Sequence, residues 1–495
     1  MRLTKLLENL DGEIFYEGKS YERDVATLSH DTQTEMKGSL FFCLVGGRFD
    51  GHNFAKQAIK KGAVALVVER KLDVDVPQFI VKNARETLSF IAAKYYGMPA
   101  ERLKIIAVTG TNGKTTTAHM LAEILRSADK EVGIIGTLGI SYGDKKYPAS
   151  LTTPDPIPFH KTLAEMFLCG VEYVVMEVSA HAMYYAKTAG IRFSACIFTN
   201  LSQDHLDFFT TMQSYKETKK KLFHADICPF AVINADDETG REIAKMRAKQ
   251  PNVTTQTYAI NSPADAFAIV TDSSLSKTEC IFNVNDELAR VRLHFTGNHN
   301  VYNALSATVC ALHFGVKLKQ AVRGLSALQG VRGRLEKVES YKGADIFVDF
   351  AHTPDGLKQT LCALRTHCKG RLICLFGCGG NRDASKRALM GETVAKNSDF
   401  ALLTADNPRY EDPLDIIAEM EKGYRRFSQK YVVVPTRERA IEYAIEHLQK
   451  GDVLLVAGKG GEDYQEIMGI KYPFNDNDII KKYIEKDRAK QRETR

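Results

Sequence analysis

Short apolar runs separated by helix-length amphipathic stretches make up most of the chain, and that alternation predicts an α/β protein. Near the start, "GSLFFCLVG", "AVALVVER" and "QFIVK" read as short strands and "ARETLSFIAAKYYG" as an amphipathic helix. The turn- and charge-rich "GMPAERLK" closes this stretch, so a small α/β domain is expected over residues 1–100. Beyond it, "KIIAVTG", "EVGIIGT", "VEYVVMEVS", "ACIFTNLS" and "FAVINAD" each adjoin a helical stretch, the pattern of a parallel sheet with crossover helices. Denser alternation in "AFAIVTDSSLSKTECIFNVNDELARVRLHF" predicts antiparallel strands ahead of a helix at "NHNVYNALSATVCALHFG". This second domain is expected over residues 101–330. From 331 to 495, "ADIFVDFA", "RLICLFG", "FALLTAD", "YVVVPT" and "DVLLVAG" repeat the strand–helix alternation, predicting a Rossmann-like, doubly wound third domain.

The length of 495 residues agrees with three domains at roughly 150 residues each. Lys+Arg 67 against Asp+Glu 61 leaves only +6, with no long basic block, so no nucleic-acid partner is expected. The basic stretches "YKETKKKLF" and "KKYIEKDRAKQRETR" read as solvated helix faces. Ten cysteines are scattered without a CxxC pair, which fits reduced thiols and a cytoplasmic location. No run approaches the ~18 apolar residues that span a bilayer, and the N-terminal stretch lacks the apolar core of a signal peptide. No membrane partner is expected, and the chain is expected to act as a monomer.

Strand "IIAVTG" runs into "TNGKTTTAHMLAEILRS", the strand–loop–helix context of a phosphate-binding loop. Gly110 and Gly113 let the N–H groups around Thr111 and Asn112 turn toward an anion, Lys114 adds a charge, and Thr115, followed by Thr116, offers a hydroxyl to Mg²⁺. The usual eight-residue spacing fails at Val108, which stands where a glycine is expected. The natural occupant is ATP; the alternative is a Gly-rich turn opening an ordinary helix.

The tight form "TGTNGKTT", followed in order by "LTTPD", "MEVSAHA", "TNLSQDHLDFF", "GNHNVYNALSA", "GVRGRLE", "VDFAHTPDGL", "FGCGGNRD" and "TADNPRYEDP", resembles the Mur ligases over about residues 30 to 478. The resemblance implies three domains: a UDP-sugar-binding domain, a central P-loop-type ATPase domain and a C-terminal amino-acid-binding domain. It also implies an ATP-dependent amide ligation that passes through an acyl phosphate. The substrates implied are UDP-N-acetylmuramoyl-L-alanyl-D-glutamate and a diamino acid, and closure of the third domain over the second is expected.

Glu177 ends an apolar strand, so it either caps a local donor or binds a cation near Thr115. His205 alone reads as a satisfied surface histidine; the resemblance makes it a Mg²⁺ ligand. Lys219 is one of three adjacent lysines that composition cannot separate, and the resemblance implies that it is carbamylated and binds metal. With Lys114, these three form the expected catalytic set. Asn300 and Asn303, one turn apart, suit either a purine edge or helix capping. Asp349 and His352 follow a strand end, where the resemblance places the nucleoside of ATP. Arg334 either reaches phosphates or forms a surface ion pair.

For the UDP-sugar, the resemblance points to Thr32, Gly47, Thr152, Thr153 and Ser179. Gln33 stands where the family has arginine, and removes a charge. The incoming amino acid is expected at Arg382, Asp406, Asn407, Pro408, Arg409, Gly458 and Glu462. Arg409 can hold a carboxylate with two parallel N–H groups, which suits the distal carboxylate of meso-diaminopimelate and repels the distal ammonium of L-lysine. Glu462 is expected to face the ammonium, and an ion-pair network is the structural alternative for these residues. Other departures from the family pattern are Ala180, Asn381, Ala388 and Gly461. The same chemistry with L-lysine is one alternative reading. A UDP-sugar-sensing P-loop phosphohydrolase, which would not need the arginines, and peptide ligation onto folate, which would not need "DNPR", are others.

Overall fold

The computed structural model describes residues 1–47, 49–148 and 151–493. The chain divides into two compact units. The first holds Met1–Ala107, Glu131–Ser194 and Asp226–Pro229, and the second Val108–Lys130, Ala195–Ala225 and Phe230–Arg495.

In the first unit, five strands lie in the order Glu13–Phe15, Gln78–Ile80, Ala63–Val68, Ser39–Phe42, Thr27–Ser29. All neighbours are parallel except Glu13–Phe15, which runs antiparallel to Gln78–Ile80. Ser39–Phe42 is buried at every position, as expected of a parallel strand covered on both faces, which is why it reads as a continuous apolar run. Helix Ala84–Tyr95 begins at Asn83, whose side chain accepts from the backbone N–H groups of Arg85 and Glu86. The helix buries Leu88, Ile91 and Ala92 in one cluster with Leu40, Phe42, Ala65 and Val67 of the strands. The same unit carries the parallel pair Val132–Gly136 and Tyr173–Glu177, and hairpin strands Gly139–Tyr142 and Lys145–Tyr147. Tyr173–Glu177 is buried along its whole length and ends on Glu177.

The second unit runs Ala195–Phe198, Phe230–Asn234, Thr254–Ala259 and Ala266–Ser273 as successive parallel neighbours. Thr278–Val284 and Glu287–Leu293 follow as the antiparallel strands that the dense alternation predicts. Thr278–Val284 buries every second residue, so one face is covered and the other is not. A six-stranded sheet has the order Glu336–Tyr341, Ala344–Asp349, Val453–Ala457, Leu372–Phe376, Phe400–Leu403, Tyr431–Val433, parallel except for the first strand. Chain order reverses around Val453–Ala457, and the loops at this switch point leave from the carboxyl ends of Ala344–Asp349, Val453–Ala457 and Leu372–Phe376.

The basic C-terminal stretch departs from a purely solvated face. In helix Asp476–Glu493, Ile480, Tyr483 and Ile484 enter the core beside Ile346, Val348 and Leu454. Their spacing of three and four residues forms one apolar stripe among the charges. Asp476 at the helix start makes a fully buried two-pronged pair with Arg437, at 2.8 Å for both contacts.

Candidate active site

The phosphate loop follows strand Lys104–Thr109 and opens helix Lys114–Arg126. Both glycines are sterically required. Gly110 has φ +151° and Gly113 φ +87°; a Cβ on the first would lie 1.9 Å from Thr199 Oγ1, and on the second 2.5 Å from Asn303 Oδ1. The loop is cradled by the segment after strand Ala195–Phe198. Thr111 N donates to Asn200 O at 2.8 Å, Asn112 N to Asn200 Oδ1 at 2.9 Å, and Thr199 Oγ1 to Asn112 O at 2.6 Å. Lys114 Nζ lies over the loop, donating to Gly110 O at 3.0 Å and Thr111 O at 2.9 Å. Thr115 and Thr116 are buried at the start of the helix.

Arg334 reaches this loop: its Nη2 donates to Thr115 Oγ1 at 2.9 Å, and its guanidinium lies 4.3 Å from the centre of the Phe350 ring. Asn300 and Asn303 are buried beside the loop. Asn303 Nδ2 donates to Asn300 Oδ1 at 3.2 Å, and Asn300 Nδ2 to Thr296 O at 2.9 Å. Asn303 Oδ1 accepts from Thr117 Oγ1 at 3.2 Å, so this pair braces the loop's helix. Asp349 accepts from Leu335 N at 2.6 Å, Ala351 N at 2.9 Å and Thr360 Oγ1 at 3.2 Å, which fixes the turn carrying His352.

The sequence reading passes over the hub of this region. Asp204, next to His205, is buried, and its carboxylate faces Lys386 Nζ at 3.0 Å, His205 Nε2 at 3.3 Å and His352 Nε2 at 3.6 Å. Burial alone would raise its carboxyl, but the neighbouring His352, Lys386 and His205 hold it well below the usual range. Asn112 Nδ2 also donates to Asp355 Oδ2 at 3.1 Å. Thus Asp204, Lys386 and Asp355 tie residues 110–115 and 199–205 to the last third of the chain. The available sequence signal was a carboxylate adjoining a candidate histidine at a strand end; Lys386 read as one more helix-surface lysine.

Lys219 is the lysine of the "KETKKK" run that is buried, at 1% exposure, whereas Lys221 is exposed. Its Nζ donates to Gly110 O at 2.8 Å. Burial, then the nearby Lys114 charge, push its amine well below the usual lysine range.

In the first unit, Glu177 meets a local donor: Oε1 accepts from Thr137 N at 2.8 Å and Oε2 from Thr137 Oγ1 at 3.1 Å. Thr152 Oγ1 lies 3.1 Å from Thr137 Oγ1, while Thr153 Oγ1 donates to Glu177 O at 2.9 Å and accepts from Ser179 N at 3.1 Å. Ser179 caps the short helix Ala180–Tyr184. Thr152, Thr153, Glu177 and Ser179 therefore form one hydroxyl-rich cluster. A cavity of ≈ 510 Å³ in this unit has apolar walls from Phe41, Leu44, Phe54 and Leu88 and polar groups from His30, Thr32, Gln33, Arg85 and Lys187. Thr32 is buried and its carbonyl accepts from Lys61 Nζ at 2.7 Å. Gly47 is exposed, and of its neighbours Gly46 and Phe49 line the cavity. Lys187 pairs with Asp155 at 2.9 Å, and burial pushes the His30 imidazole down.

The loops after strands Leu372–Phe376, Phe400–Leu403 and Val453–Ala457 meet at the carboxyl ends of the six-stranded sheet. Asp406, Asn407 and Pro408 are buried, and a Cβ on Gly458 would lie 2.5 Å from Asp406 Oδ2. Asn407 Nδ2 donates to Glu462 Oε2 at 2.9 Å. Lys459, with no exposed surface, donates to Asn407 Oδ1 at 3.0 Å and Glu462 Oε2 at 2.8 Å, and so fixes which way the amide points. Arg409 donates from Nε to Glu466 Oε2 at 3.1 Å and from Nη1 to Gly380 O at 2.7 Å. Arg382 is exposed on the same 379–382 loop. Lys459 and Glu466 also escaped the sequence reading; the signal for Lys459 was a lysine between glycines at the end of a buried strand.

A strand–loop–helix with the glycine and lysine pattern of a phosphate-binding loop is thus joined, through Asn112 and Asp204, to a Rossmann-like sheet. Residues 25–107 match the model described as Mur ligase family, catalytic domain, residues 108–311 the Mur ligase middle domain, and residues 333–460 the Mur ligase, glutamate ligase domain. The chain belongs to the Mur ligase family. Two relatives are named UDP-N-acetylmuramoyl-L-alanyl-D-glutamate--2,6-diaminopimelate ligase. One, from Geobacillus thermodenitrificans (strain NG80-2), is 39% identical over 99% of this chain and 100% of its own. The other, from Clostridium tetani (strain Massachusetts / E88), is 40% identical over 98% of this chain and 99% of its own. A solved structure bearing that same enzyme name superposes with a TM-score of 0.66 at 30% identity, covering 94% of this chain and 95% of its own. A MurF ligase from Thermotoga maritima in complex with ADP shares the fold, with a TM-score of 0.61 at 20% identity over 94% of this chain and 98% of its own.

Proposed function

We propose that this protein adds meso-diaminopimelate to UDP-N-acetylmuramoyl-L-alanyl-D-glutamate with ATP, a step of peptidoglycan precursor synthesis that serves cell-wall growth, cell shape and division. The observation that carries this reading is Arg409, held by Glu466 and Gly380 O on a loop shared with Asn407 at the carboxyl end of strand Phe400–Leu403. There it can read the carboxylate that meso-diaminopimelate has and L-lysine lacks.

The D-glutamyl carboxylate attacks the γ-phosphorus of ATP, giving an acyl phosphate and ADP. The amine of the diamino acid then displaces phosphate to form the amide, and no protein nucleophile is needed. Lys114 and Arg334 face the transferred phosphate charge, and the N–H groups of residues 110–115 hold the triphosphate. Thr32 and the ≈ 510 Å³ cavity take the nucleotide end of the UDP-sugar, while Thr152, Thr153 and Ser179 take its peptidyl end. Asp406, Asn407, Arg382, Arg409, Gly458 and Glu462 receive the amino acid.

Magnesium suits the donor chemistry of the Thr115 hydroxyl and the His205 imidazole in the second unit. Among the described residues no group of three or more His, Cys, Asp or Glu forms a metal cluster. The further ligand is Lys219, whose buried amine is pushed below the usual lysine range and would bind the ion as the carbamate formed by adding CO₂. When bound, the ion supplies positive charge against the phosphates. Among the described residues no helix is long and apolar enough to cross a membrane; the scattered, unpaired cysteines support a cytoplasmic enzyme, which we propose acts as a monomer. The test is product mass: ATP, UDP-N-acetylmuramoyl-L-alanyl-D-glutamate and meso-diaminopimelate should give the nucleotide plus one diaminopimelyl residue. Recovery of unextended nucleotide alongside ADP would refute ligation.

A further inference from the structure

Between strand Lys104–Thr109 and helix Lys114–Arg126 the phosphate loop is residues 110–113, and both of its glycines have positive φ. Val108, which stands where the usual pattern has a glycine, is buried within the strand. A loop this short and this rich in glycine does not hold one shape by itself. Binding a phosphate chain nevertheless needs its groups aimed in one direction. The stiffness has to come from outside the loop.

Asn200 supplies it. Its side-chain amide meets the backbone of Asn112 twice: Oδ1 accepts from Asn112 N at 2.9 Å, and Nδ2 donates to Asn112 O at 3.1 Å. A backbone N–H can only donate and a carbonyl only accept, so the partners fix which way the amide points. Asn112 N belongs to the peptide plane before that residue and Asn112 O to the plane after it, so the grip sets both of its backbone dihedrals. Asn200 O accepts from Thr111 N at 2.8 Å, and Thr199 Oγ1 donates to the same Asn112 O at 2.6 Å. The clamp is itself anchored. Asn234 Nδ2 donates to Thr199 O at 2.7 Å and Leu201 N to Asp237 Oδ2 at 2.9 Å, so it rests on the end of strand Phe230–Asn234 and the start of helix Glu238–Arg247.

Resting on the reading that this loop holds the phosphates of ATP, we propose that Asn200 is a positioning residue for the nucleotide. By fixing both peptide planes of Asn112 it sets the direction of Gly113, and through it the Lys114 side chain and the first turn of the helix. It acts through the loop and not on the nucleotide.

ADP and adenosine, used as competitive inhibitors against ATP, separate this role from general support of the fold, because adenosine lacks the groups that the loop holds. In the unaltered enzyme ADP should bind more tightly than adenosine. Asn200→Ala removes both side-chain bonds to Asn112 and should raise the Ki for ADP by about tenfold or more. The Ki for adenosine and the KM for the amine substrate should stay near their starting values, so the ratio of the two Ki values shrinks. Should Asn200→Ala fail to fold, Thr199→Val takes its place: it keeps the side chain's shape, removes one bond to Asn112 O, and should shift the ratio the same way by less. A merely structural role would raise both Ki values together and preserve the ratio. An unshifted ratio in the variant would overturn the role of Asn200 while leaving the ligase reading intact. Equal Ki values for ADP and adenosine in the unaltered enzyme would instead remove the phosphate-loop reading and this inference with it.

Discussion

Two arginine–carboxylate pairs in the same Rossmann-like region look alike in a list of contacts and differ in kind. Arg437 and Asp476 have 0% exposed side-chain surface, meet through two 2.8 Å contacts, and Arg437 donates a further bond to Ala457 O. Arg409 and Glu466 meet through one 3.1 Å contact and remain 18% and 22% exposed. The first pair is closed to solvent and pins the C-terminal helix to the end of strand Val453–Ala457, although Arg437 Nη1 makes no hydrogen bond. The second is incomplete, so its remaining donors and acceptors are available to a ligand. Burial, more than the chemistry of the partners, separates a pair that holds the fold from one that reads a substrate.

The largest effect should come from breaking the closed pair. Arg437→Met leaves Asp476 charged and unpaired in the core, and urea unfolding should show a loss of about 3–5 kcal/mol. If the loss is small, the contrast with Arg409 fails. Next, Arg409→Ala should lower kcat/KM for meso-diaminopimelate by roughly 30- to 150-fold, equivalent to about 2–3 kcal/mol, while thermal stability and the KM for ATP stay near their starting values. An equal loss for ATP would make Arg409 structural.

Lys386→Met tests the hub that joins residues 199–205 to the last third of the chain. It removes a charge-assisted bond to buried Asp204, and about 1.5–3 kcal/mol of stability at neutral pH should go with it. The Asp204 carboxyl is held below its unfolded value, so its stabilisation is present above the unfolded pKa and is lost as pH falls through the folded one. With Lys386 gone that depression shrinks, and acid unfolding should begin at higher pH. The smallest effect belongs to Arg439→Ala: Arg439 pairs with Glu442 at the surface, 69% exposed, and the melting temperature should not move measurably.

The difference between these pairs also explains what could be read from the chain. The phosphate loop was legible because its requirements are local: Gly110, Gly113, Lys114 and Thr115 lie within six residues, between a buried strand and a helix. The antiparallel strands over 266–293 were legible from alternation, since one buried face imposes a period of two. Asp204 and Lys386 were not, because they are 182 positions apart and nothing local distinguishes Lys386 from a solvated helix lysine. Lys219 shows the same limit, since which lysine of a run is buried depends on helix Met212–Lys220 packing against the loop at Gly110. Glu466 was hidden because its role depends on a strand-like bridge to Arg409 rather than on any spacing within its own segment.

The central claim is that the guanidinium on the 406–409 loop selects the amino acid by its distal carboxylate. The most direct measurement is the ratio of kcat/KM for meso-diaminopimelate over L-lysine, followed as phosphate release with UDP-N-acetylmuramoyl-L-alanyl-D-glutamate and ATP, in the unaltered enzyme and in Arg409→Ala. The account predicts a large ratio in the first and one approaching unity in the second. An undiminished ratio in Arg409→Ala, or phosphate release that needs no amine at all, would contradict it.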